Sequence, residues 1–435
     1  DFFRYQRVLS IMFSKTEFSS VFSLFQDSSN RVPEGSFLCA PPMKSRAYYP
    51  DGFEITYVDA QKIVTKLKSS YSNAGYGLGH RIALLLENRP EFHLHWLALN
   101  GLGVSVVPIN PDYREDEIIY LLDHSESILV VSISERLADL KLAVEKCRAQ
   151  VPVIDIEQLD NQLPDSSTDK SPEKPDIDSE VALLYTSGTT GRPKGCILTN
   201  RYFLNAGRWY LEAGGLMEIE YGQERLLNPL PLFHANAMAI SSMAMLSSAG
   251  CIIMIDRFHP KTWWFDVSAS RATIIHYLGI MPPVLLNQKP SQYDVSHNVK
   301  FGAGAGIDPK HHKLFEKRFG FPLIEGWGMT EVAMPAWASL EPRQISTRAF
   351  GRPLSGCEVR IVDDHDKEVT PDTHGELTLR MGGNDPRRCL FSGYLKDELA
   401  TETAWRGGWF HTGDTVSRSS DGILTFIDRT KNIIR

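Results

Sequence analysis

The chain has 435 residues, of which 42% are hydrophobic and 23% are charged, and its formal net charge is −7. This length exceeds a single ordinary core, so at least two subdomains are expected, and the composition is typical of a globular enzyme. The negative charge argues against a nucleic-acid-binding surface and against a polybasic membrane anchor. An anionic ligand would therefore depend on local cations rather than on the field of the whole protein.

The cysteines and the apolar segments bear on where the protein works. The six cysteines show no paired spacing, which predicts free thiols in a reducing cytosol and neither disulfides nor a zinc site. The N-terminal stretch lacks a small-residue cleavage pattern, and no segment stays apolar for long enough to cross a bilayer. We therefore predict a cytoplasmic protein without a membrane span.

Strands and helices alternate through the first part of the chain, as they do in parallel α/β sheets. Strands are predicted at residues 81–88, 104–110 and 127–132, and helices at 90–103 and 114–124. Asn88 is expected to cap the first of these helices, with Pro90 in its first turn. The polar, proline-rich segment 158–180 is typical of a linker.

The stretch Thr186–Gly195, TSGTTGRPKG, follows a short apolar run at residues 181–185. That run predicts a buried strand that ends in a flexible loop. Backbone N–H groups beside glycines, several hydroxyls and one ammonium together form a concave anion site suited to a polyphosphate. The predicted ligands are Thr186, Ser187, Gly188, Thr189, Thr190, Gly191 and Lys194. The spacing excludes a Walker A loop, and a surface loop that binds nothing is the alternative.

The alternation resumes beyond this loop and predicts a second sheet. Strands are expected at 251–256, 272–278, 299–304 and 322–326, and helices at 260–270, 281–288 and 308–320. Short alternating strands at 357–364, 375–380 and 422–429 then predict a small antiparallel barrel or sheet. Ligands of open α/β sheets bind at the carboxyl ends of strands. Three predicted loops lie there: Thr186–Gly195, Gly302–Gly306 and Gly326–Glu331.

The predicted fold class is therefore α/β, with two doubly wound, mixed or parallel sheets, flanking helices and a small antiparallel β-barrel-like subdomain. The first α/β subdomain is expected at 1–175 and the second, with the phosphate loop and the adenine and acyl sites, at 176–345. The small β subdomain is expected at 346–428, followed by a hinge at 429–435.

Seven motifs, in this order along the chain, resemble those of the adenylate-forming superfamily of acyl-CoA synthetases, luciferases and peptide-synthetase adenylation domains. They are YTSGTTGRPKG at 185–195, PLFH at 231–234, GAGAG at 302–306, EGWGMTE at 325–331, GELTLR at 375–380, GWFHTGD at 408–414 and DRTK at 428–431. The resemblance implies an AMP-forming acid–thiol ligase. A carboxylate attacks the α-phosphate of ATP, pyrophosphate leaves, and a thiol such as CoA then takes the acyl group.

The resemblance also assigns residues to the nucleotide. Lys194 and its loop hold the β- and γ-phosphates, and Glu331 holds Mg²⁺, to which a hard carboxylate is suited. Asp414 accepts both ribose hydroxyls, and Arg429 contacts ribose or phosphate. Trp327 stands where the family commonly has a tyrosine against adenine, so stacking is expected to persist while the phenol's hydrogen bond is lost. The other predicted adenine-site residues are Gly304, Ala305, Gly306, Glu325, Gly326, Gly328, Met329 and Thr330.

The acid is expected to bind beside the PLFH motif. His234 lies at the family position that lines the carboxylate pocket, where an imidazole orients the substrate anion or gates the thiol. Amino-acid-activating relatives have an Asp next to this position, but this chain has Ala235, so a buried substrate ammonium would lack its partner. The other predicted acid-binding residues are Met238, Gly302, Gly304, Met329, Ala333 and Trp337. The predicted catalytic residues are Thr186, Lys194, His234 and Glu331.

Most of the acid-binding residues are small or apolar, which favours a bulky or elongated hydrophobic acid. A carnitine-like betaine, held against Trp337 by a cation–π contact, is the alternative substrate. The expected cofactors and partners are ATP, Mg²⁺, CoA and a small-molecule carboxylic acid.

The sequence stops at Arg435, just after Lys431, which the resemblance makes the hinge residue. The family continues there with a C-terminal domain that supplies a catalytic lysine. The chain is therefore expected to be a large domain without that partner and to be severely impaired in the full reaction. Two alternatives stay open: an adenylating enzyme that loads an acyl carrier protein, and a non-catalytic nucleotide-binding module.

Overall fold

The computed structural model describes residues 18–159, 163–186 and 192–429. Its helices are α1 (Val21–Arg31), α2 (Tyr57–Asn73), α3 (Pro90–Asn100), α4 (Glu115–Ser125), α5 (Leu137–Val144), α6 (Asn200–Glu212), α7 (Ser242–Ser248), α8 (Trp263–Ala269), α9 (Met281–Leu286), α10 (Pro309–Phe319) and α11 (Glu398–Ala404). Its strands are β1 (Ser36–Ala40), β2 (Phe53–Thr56), β3 (Arg81–Leu85), β4 (Ser105–Pro108), β5 (Leu129–Ser132), β6 (Val153–Asp155), β7 (Glu180–Thr186), β8 (Lys194–Thr199), β9 (Arg225–Asn228), β10 (Cys251–Met254), β11 (Ile274–Leu278), β12 (Phe301–Ala305), β13 (Leu323–Met329), β14 (Ala333–Trp337), β15 (Ala349–Pro353), β16 (Cys357–Val362), β17 (Gly375–Met381), β18 (Gly393–Tyr394), β19 (Phe410–Arg418) and β20 (Leu424–Arg429).

The larger sheet has thirteen strands in the order β16-β17-β19-β20-β15-β14-β13-β12-β11-β9-β10-β1-β2. Its central strands, from β13 to β1 in that order, are parallel. The edge strand β2 pairs antiparallel with β1. On the other side of the sheet, the neighbouring strands β14, β15, β20, β19, β17 and β16 pair antiparallel with one another, and β14 pairs antiparallel with β13. Strand β10 is buried at every position, as expected for a parallel sheet with helices on both faces.

The smaller sheet has seven strands in the order β18-β8-β7-β4-β3-β5-β6. Within this sheet the neighbouring strands β7, β4, β3, β5 and β6 are parallel. Strands β8 and β18 add an antiparallel edge next to β7. The two strands that flank the phosphate loop, β7 and β8, therefore belong with the strands of the first part of the chain. The subdomain limits themselves stay a prediction.

The mixed α/β class with two sheets flanked by helices is confirmed. The late antiparallel strands join the larger sheet through β14 and β15, and β16 remains an open edge. No pairing within the described ranges closes these strands into a barrel. They are better described as an antiparallel continuation of the larger sheet.

Asn88 does not cap α3, contrary to the prediction. The N-cap is Arg89, with no side-chain capping bond, while Pro90 occupies the first turn as predicted. The Asn88 amide instead donates to the carbonyls of Leu230 and Ile255 and accepts the N–H of Leu232 at 2.9 Å. A buried side chain with three backbone partners is worth more than an N-cap bond. Asn88 thereby fixes the chain just before His234.

The glycine-rich segment from Gly326 to Met329 is a strand, although it was predicted as a loop. A Cβ at Gly326 would lie 2.4 Å from the Trp337 ring, and one at Gly328 would lie 2.0 Å from the Ala333 carbonyl oxygen. The glycines therefore allow β14 to approach β13 closely, rather than making the chain flexible. The turn that remains is residues 330–332.

The other sequence expectations concern thiols, membranes and the linker. All six cysteines are free thiols. Of the helices in the described ranges, none has the length and apolar character needed to cross a membrane. Residues 163–179 are irregular, as expected for a linker, and residues 160–162 lie outside the described ranges.

Candidate active site

The base of the phosphate loop lies between β7 and β8. Thr186 ends β7 and pairs with Lys194 at the start of β8. The Lys194 ammonium lies 3.5 Å from a carboxylate oxygen of Asp397 and 4.9 Å from the ring centroid of Tyr394, and its side chain is 26% exposed. The cation is thus accessible beside the loop. The predicted ligands Ser187, Gly188, Thr189, Thr190 and Gly191 lie outside the described residues.

Glu331 is a buried carboxylate next to this loop. It is 5% exposed, and its Oε1 accepts a 2.8 Å hydrogen bond from the Tyr394 hydroxyl. Burial raises the pKa of Glu331, and the Tyr394 hydrogen bond opposes that rise. Burial also raises the pKa of the Cys196 thiol. The charge of nearby Glu331 raises this pKa further, and a hydrogen bond with Thr186 lowers it. Glu331 and Thr186 therefore both lie close to Cys196.

The short strand β18 brings Tyr394 to the site, a residue that the sequence analysis missed. Gly393 pairs with Ile197, and Tyr394 pairs with Cys196. The N–H of Phe391 donates to the Glu331 carbonyl at 2.9 Å. The segment around Tyr394 has no chemical pattern of its own, so only this long-range pairing reveals that its hydroxyl meets Glu331.

Glu331 is the residue that would hold Mg²⁺. In the part of the chain that the structure describes, no group of three or more His, Cys, Asp or Glu side chains could hold a metal. Mg²⁺ keeps several waters and binds through one or two carboxylates together with substrate phosphates. A single buried carboxylate beside the phosphate loop fits this mode, and the ion would neutralise phosphate charge there.

Glu325 supports from within the segment that was predicted to form the adenine side of the site. Its Oε2 accepts the N–H of Gly306 at 2.8 Å, and its Oε1 accepts the hydroxyl of Tyr277 and the N–H of Ile307. Burial raises the pKa of Glu325, and these three donors oppose the rise. A Cβ on Gly304 would lie 2.2 Å from the Tyr277 carbonyl oxygen. Glu325 therefore holds the end of β12 in place through contacts inside the protein.

Trp327, the residue predicted to stack on adenine, is largely buried, and the stacking itself stays a prediction. The residue is 6% exposed and its ring lies 6.0 Å from that of Phe350. The planes of these two rings are tilted by 31°. The indole N–H of Trp327 donates a hydrogen bond to Asp414 Oδ2 at 2.9 Å.

Asp414 and Arg429 face each other across β19 and β20. Asp414 Oδ1 lies 3.5 Å from the guanidinium of Arg429, whose side chain is 72% exposed. Burial raises the pKa of Asp414, while the Trp327 hydrogen bond and the charge of Arg429 lower it. The pair stands at the edge of the site, and the predicted hinge residue Lys431 lies outside the described residues.

The predicted acid-binding residues divide into one exposed and several buried side chains. His234 is exposed and its ring packs 4.4 Å from that of Phe233. The buried ones are Ala235, Met238, Gly302, Gly304, Ala333 and Trp337, and Met329 is half-buried. His234 therefore lies at the surface, and the apolar residues behind it are buried.

A buried polar network adjoins these apolar side chains and was not predicted. The Tyr210 hydroxyl donates to His276 Nε2 at 3.0 Å, and His276 Nδ1 donates to Asn236 Oδ1 at 3.0 Å. Burial lowers the pKa of His276 to about 3, so the ring is neutral at pH 7. The Tyr210 ring meets that of Trp337 edge-on at 5.6 Å. No role was predicted for His276, and the residue lies in no sequence motif.

Comparison with known proteins shows the class to which this fold belongs. The chain belongs to the AMP-binding enzyme family, whose model matches residues 39–395. It is 30% identical over 402 residues to the sulfoacetate–CoA ligase of Cupriavidus necator, covering 90% of this chain and 76% of that protein. The resemblance stated from the motifs is thereby confirmed: the relatives are acid–CoA ligases of the adenylate-forming superfamily.

Two further comparisons agree with this family. The crotonobetaine/carnitine–CoA ligase of Escherichia coli is 26% identical over 396 residues, which cover 87% of this chain and 75% of that protein. The inhibitor-bound N-terminal domain of FACL13 from Mycobacterium tuberculosis superimposes with a TM-score of 0.81 at 20% identity, covering 95% of this chain and all of that domain. This last likeness shows the shared fold. The family uses an acid, ATP and CoA.

Proposed function

We propose that this chain binds ATP and a carboxylic acid and forms the acyl-adenylate that the complete reaction passes to CoA. The meeting of Lys194, Glu331 and Tyr394 beside β7 and β8 supports this most directly. A cation and a buried carboxylate suited to Mg²⁺ are what the alignment of phosphates requires. A carboxylate oxygen of the acid bonds to the α-phosphorus, and the bond from that phosphorus to pyrophosphate breaks.

The remaining residues have supporting roles in this proposal. Asp414 accepts the ribose hydroxyls, for which a carboxylate with two acceptor oxygens is suited. The backbone at Gly304–Gly306, fixed by Glu325, forms the adenine side. The exposed imidazole of His234 meets the carboxylate of the incoming acid. Thr186 binds phosphate from the base of the loop.

We propose that the acid is hydrophobic or bulky and has no α-ammonium group. The buried side chains of Ala235, Met238, Ala333 and Trp337 are apolar, which suits an apolar acyl group. The position next to His234 is Ala235, so a substrate ammonium would have no carboxylate beside it. Burying an unpaired ammonium is strongly unfavourable.

A short acid with a polar tail is the second candidate. The Trp337 indole N–H is buried and lacks a hydrogen-bond partner among the described residues. The Tyr210–His276–Asn236 network lies beside it. The relative at 30% identity is a sulfoacetate–CoA ligase, and a sulfonate is a strong hydrogen-bond acceptor.

A panel of acids tests the substrate class. Phenylpropionate and phenylalanine differ by one ammonium group, and we expect the first to bind at least about tenfold more tightly in the presence of ATP and Mg²⁺, because the second must desolvate its ammonium. Fatty and polycyclic acids, sulfoacetate and carnitine complete the panel, with thermal stabilisation as the measurement. Stabilisation by amino acids alone would contradict the proposal, and a clear preference for sulfoacetate would favour the second candidate.

The acceptor of the acyl group is proposed to be CoA, as the names of the relatives suggest. An acyl carrier protein is the alternative. The adenylate should be consumed by CoA. Consumption only by a phosphopantetheinylated carrier protein would identify that alternative, and nucleotide binding without pyrophosphate exchange would indicate a non-catalytic module.

A further inference from the structure

The hydrogen bond between Trp327 and Asp414 gives Trp327 a role different from the predicted stacking. We propose that Trp327 is a positioning residue, whose indole N–H holds the Asp414 carboxylate in the orientation that accepts the two ribose hydroxyls of the nucleotide. This inference rests on the proposed function, because it assumes that Asp414 binds ribose.

The contacts of the two Asp414 oxygens are unequal. Oδ2 accepts the indole N–H at 2.9 Å. Oδ1 lies 3.5 Å from Arg429, a longer contact than a charge-assisted hydrogen bond, and the Arg429 side chain is 72% exposed. A long, exposed side chain fixes its partner poorly. The well-defined bond to the Asp414 carboxylate is therefore the one from Trp327.

The indole itself is held firmly. Trp327 is 6% exposed and, together with Phe350, Leu377 and Leu424, lines a small internal cavity. A large aromatic ring in such surroundings has one allowed position, so its N–H is a fixed donor.

The backbone of Asp414 is also fixed. Its N–H donates to the Thr412 hydroxyl at 3.1 Å, and the N–H of Gly413 donates to Glu376 at 2.9 Å. With the main chain held, rotation of the carboxyl group is the freedom left to Asp414, and the indole N–H removes it. A diol that donates two hydrogen bonds needs both carboxylate oxygens turned toward its hydroxyls, so this orientation matters for ribose.

The test compares AMP with dideoxy-AMP, which lacks both ribose hydroxyls. By calorimetry the unmodified chain should prefer AMP about 100-fold, since two hydrogen bonds to a charged group are lost with the hydroxyls. Trp327→Phe keeps a ring in the core and removes the N–H. It should reduce that preference about tenfold, by weakening AMP binding while leaving dideoxy-AMP binding unchanged.

Trp209→Phe is the matched control. Trp209 is fully buried, and its indole N–H donates to the Ser355 carbonyl at 3.0 Å. This variant loses an indole hydrogen bond of similar length in the core, so it should lower stability without changing the ratio of the two affinities. A purely structural role of Trp327 would give the same result as this control.

The outcomes separate the inference from the proposed function. If the unmodified chain binds AMP and dideoxy-AMP equally, Asp414 does not bind ribose and that part of the proposed function fails. If it prefers AMP and Trp327→Phe keeps the full preference, the positioning role of Trp327 is overturned.

A second measurement decides the matter if Trp327→Phe does not fold. The chain has eight tryptophans, and with isotope-labelled tryptophan the indole resonance that moves in Asp414→Asn is that of Trp327. AMP should shift this resonance and dideoxy-AMP should not. An identical response to both nucleotides would overturn the inference.

Discussion

Lys194→Ala should lower the affinity for ATP about 100-fold and leave the affinity for AMP within about twofold. The ammonium reaches the β- and γ-phosphates in the proposed function, and AMP has neither. Charge-assisted contacts of this kind contribute about 1.5–3 kcal/mol each, so two of them account for the loss. Removing the ammonium also leaves Asp397, 3.5 Å away, as an uncompensated negative charge near the phosphates. Calorimetric titration of both nucleotides at constant ionic strength measures the difference.

Lys396→Ala is the control for this experiment. Lys396 lies on the same segment as Tyr394, but its ammonium pairs with Glu126 at 2.9 Å and donates to the His124 carbonyl at 2.9 Å. The Lys396→Ala substitution removes the same charge without removing the proposed phosphate contact, so ATP affinity should change little. Equal weakening of ATP and AMP by Lys194→Ala would show that the ammonium does not contact the terminal phosphates.

Gly304→Ala should lower the free energy of unfolding by about 3 kcal/mol. The new Cβ would lie 2.2 Å from the Tyr277 carbonyl oxygen and 2.8 Å from its ring. Tyr277 and Gly304 are partners in the parallel pair of β11 and β12, so the clash falls on backbone that cannot move without breaking the sheet. Urea denaturation measures the loss, and weaker AMP binding should accompany it because the segment to Gly306 is displaced.

Gly382→Ala provides the comparison. The atom nearest to its Cβ is a carboxylate oxygen of Glu358 at 3.1 Å, the far end of a flexible side chain. That side chain can turn aside, so stability should change by less than about 1 kcal/mol. Similar destabilisation by the two substitutions would mean that the close approach of β11 and β12 is not what requires glycine at 304.

The sequence predicted those parts of the fold that depend on local patterns. Helix α10 is an example, because Asp308 caps it, Pro309 begins it and Gly320 follows it with a positive φ of 82°. The buried strands β3 to β5 were likewise evident as apolar runs between turn residues. In these elements the local preference and the tertiary structure agree.

The features that escaped prediction depend on residues far apart in the chain. The burial of Trp327 is decided by Phe350 and Asp414, which lie on later antiparallel strands. The Asn88 side chain hydrogen-bonds to three backbone groups near residues 230 and 255 instead of capping the adjacent helix. Motifs predicted the residues of a nucleotide site, but long-range packing determines which atoms of those residues are exposed.

Each of the two sheets contains strands from distant parts of the chain, and this limits how the gene for such a chain can recombine. The larger sheet takes β1 and β2 from before residue 60, and the smaller takes β18 from beyond residue 390. A single break at any point between β3 and β18 would leave both sheets incomplete. Neither sheet can therefore be duplicated, lost or exchanged with another protein as one continuous stretch of gene. Recombination would have to keep residues 36–429 together, and sequence change within this unit has to proceed by point substitution or loop insertion.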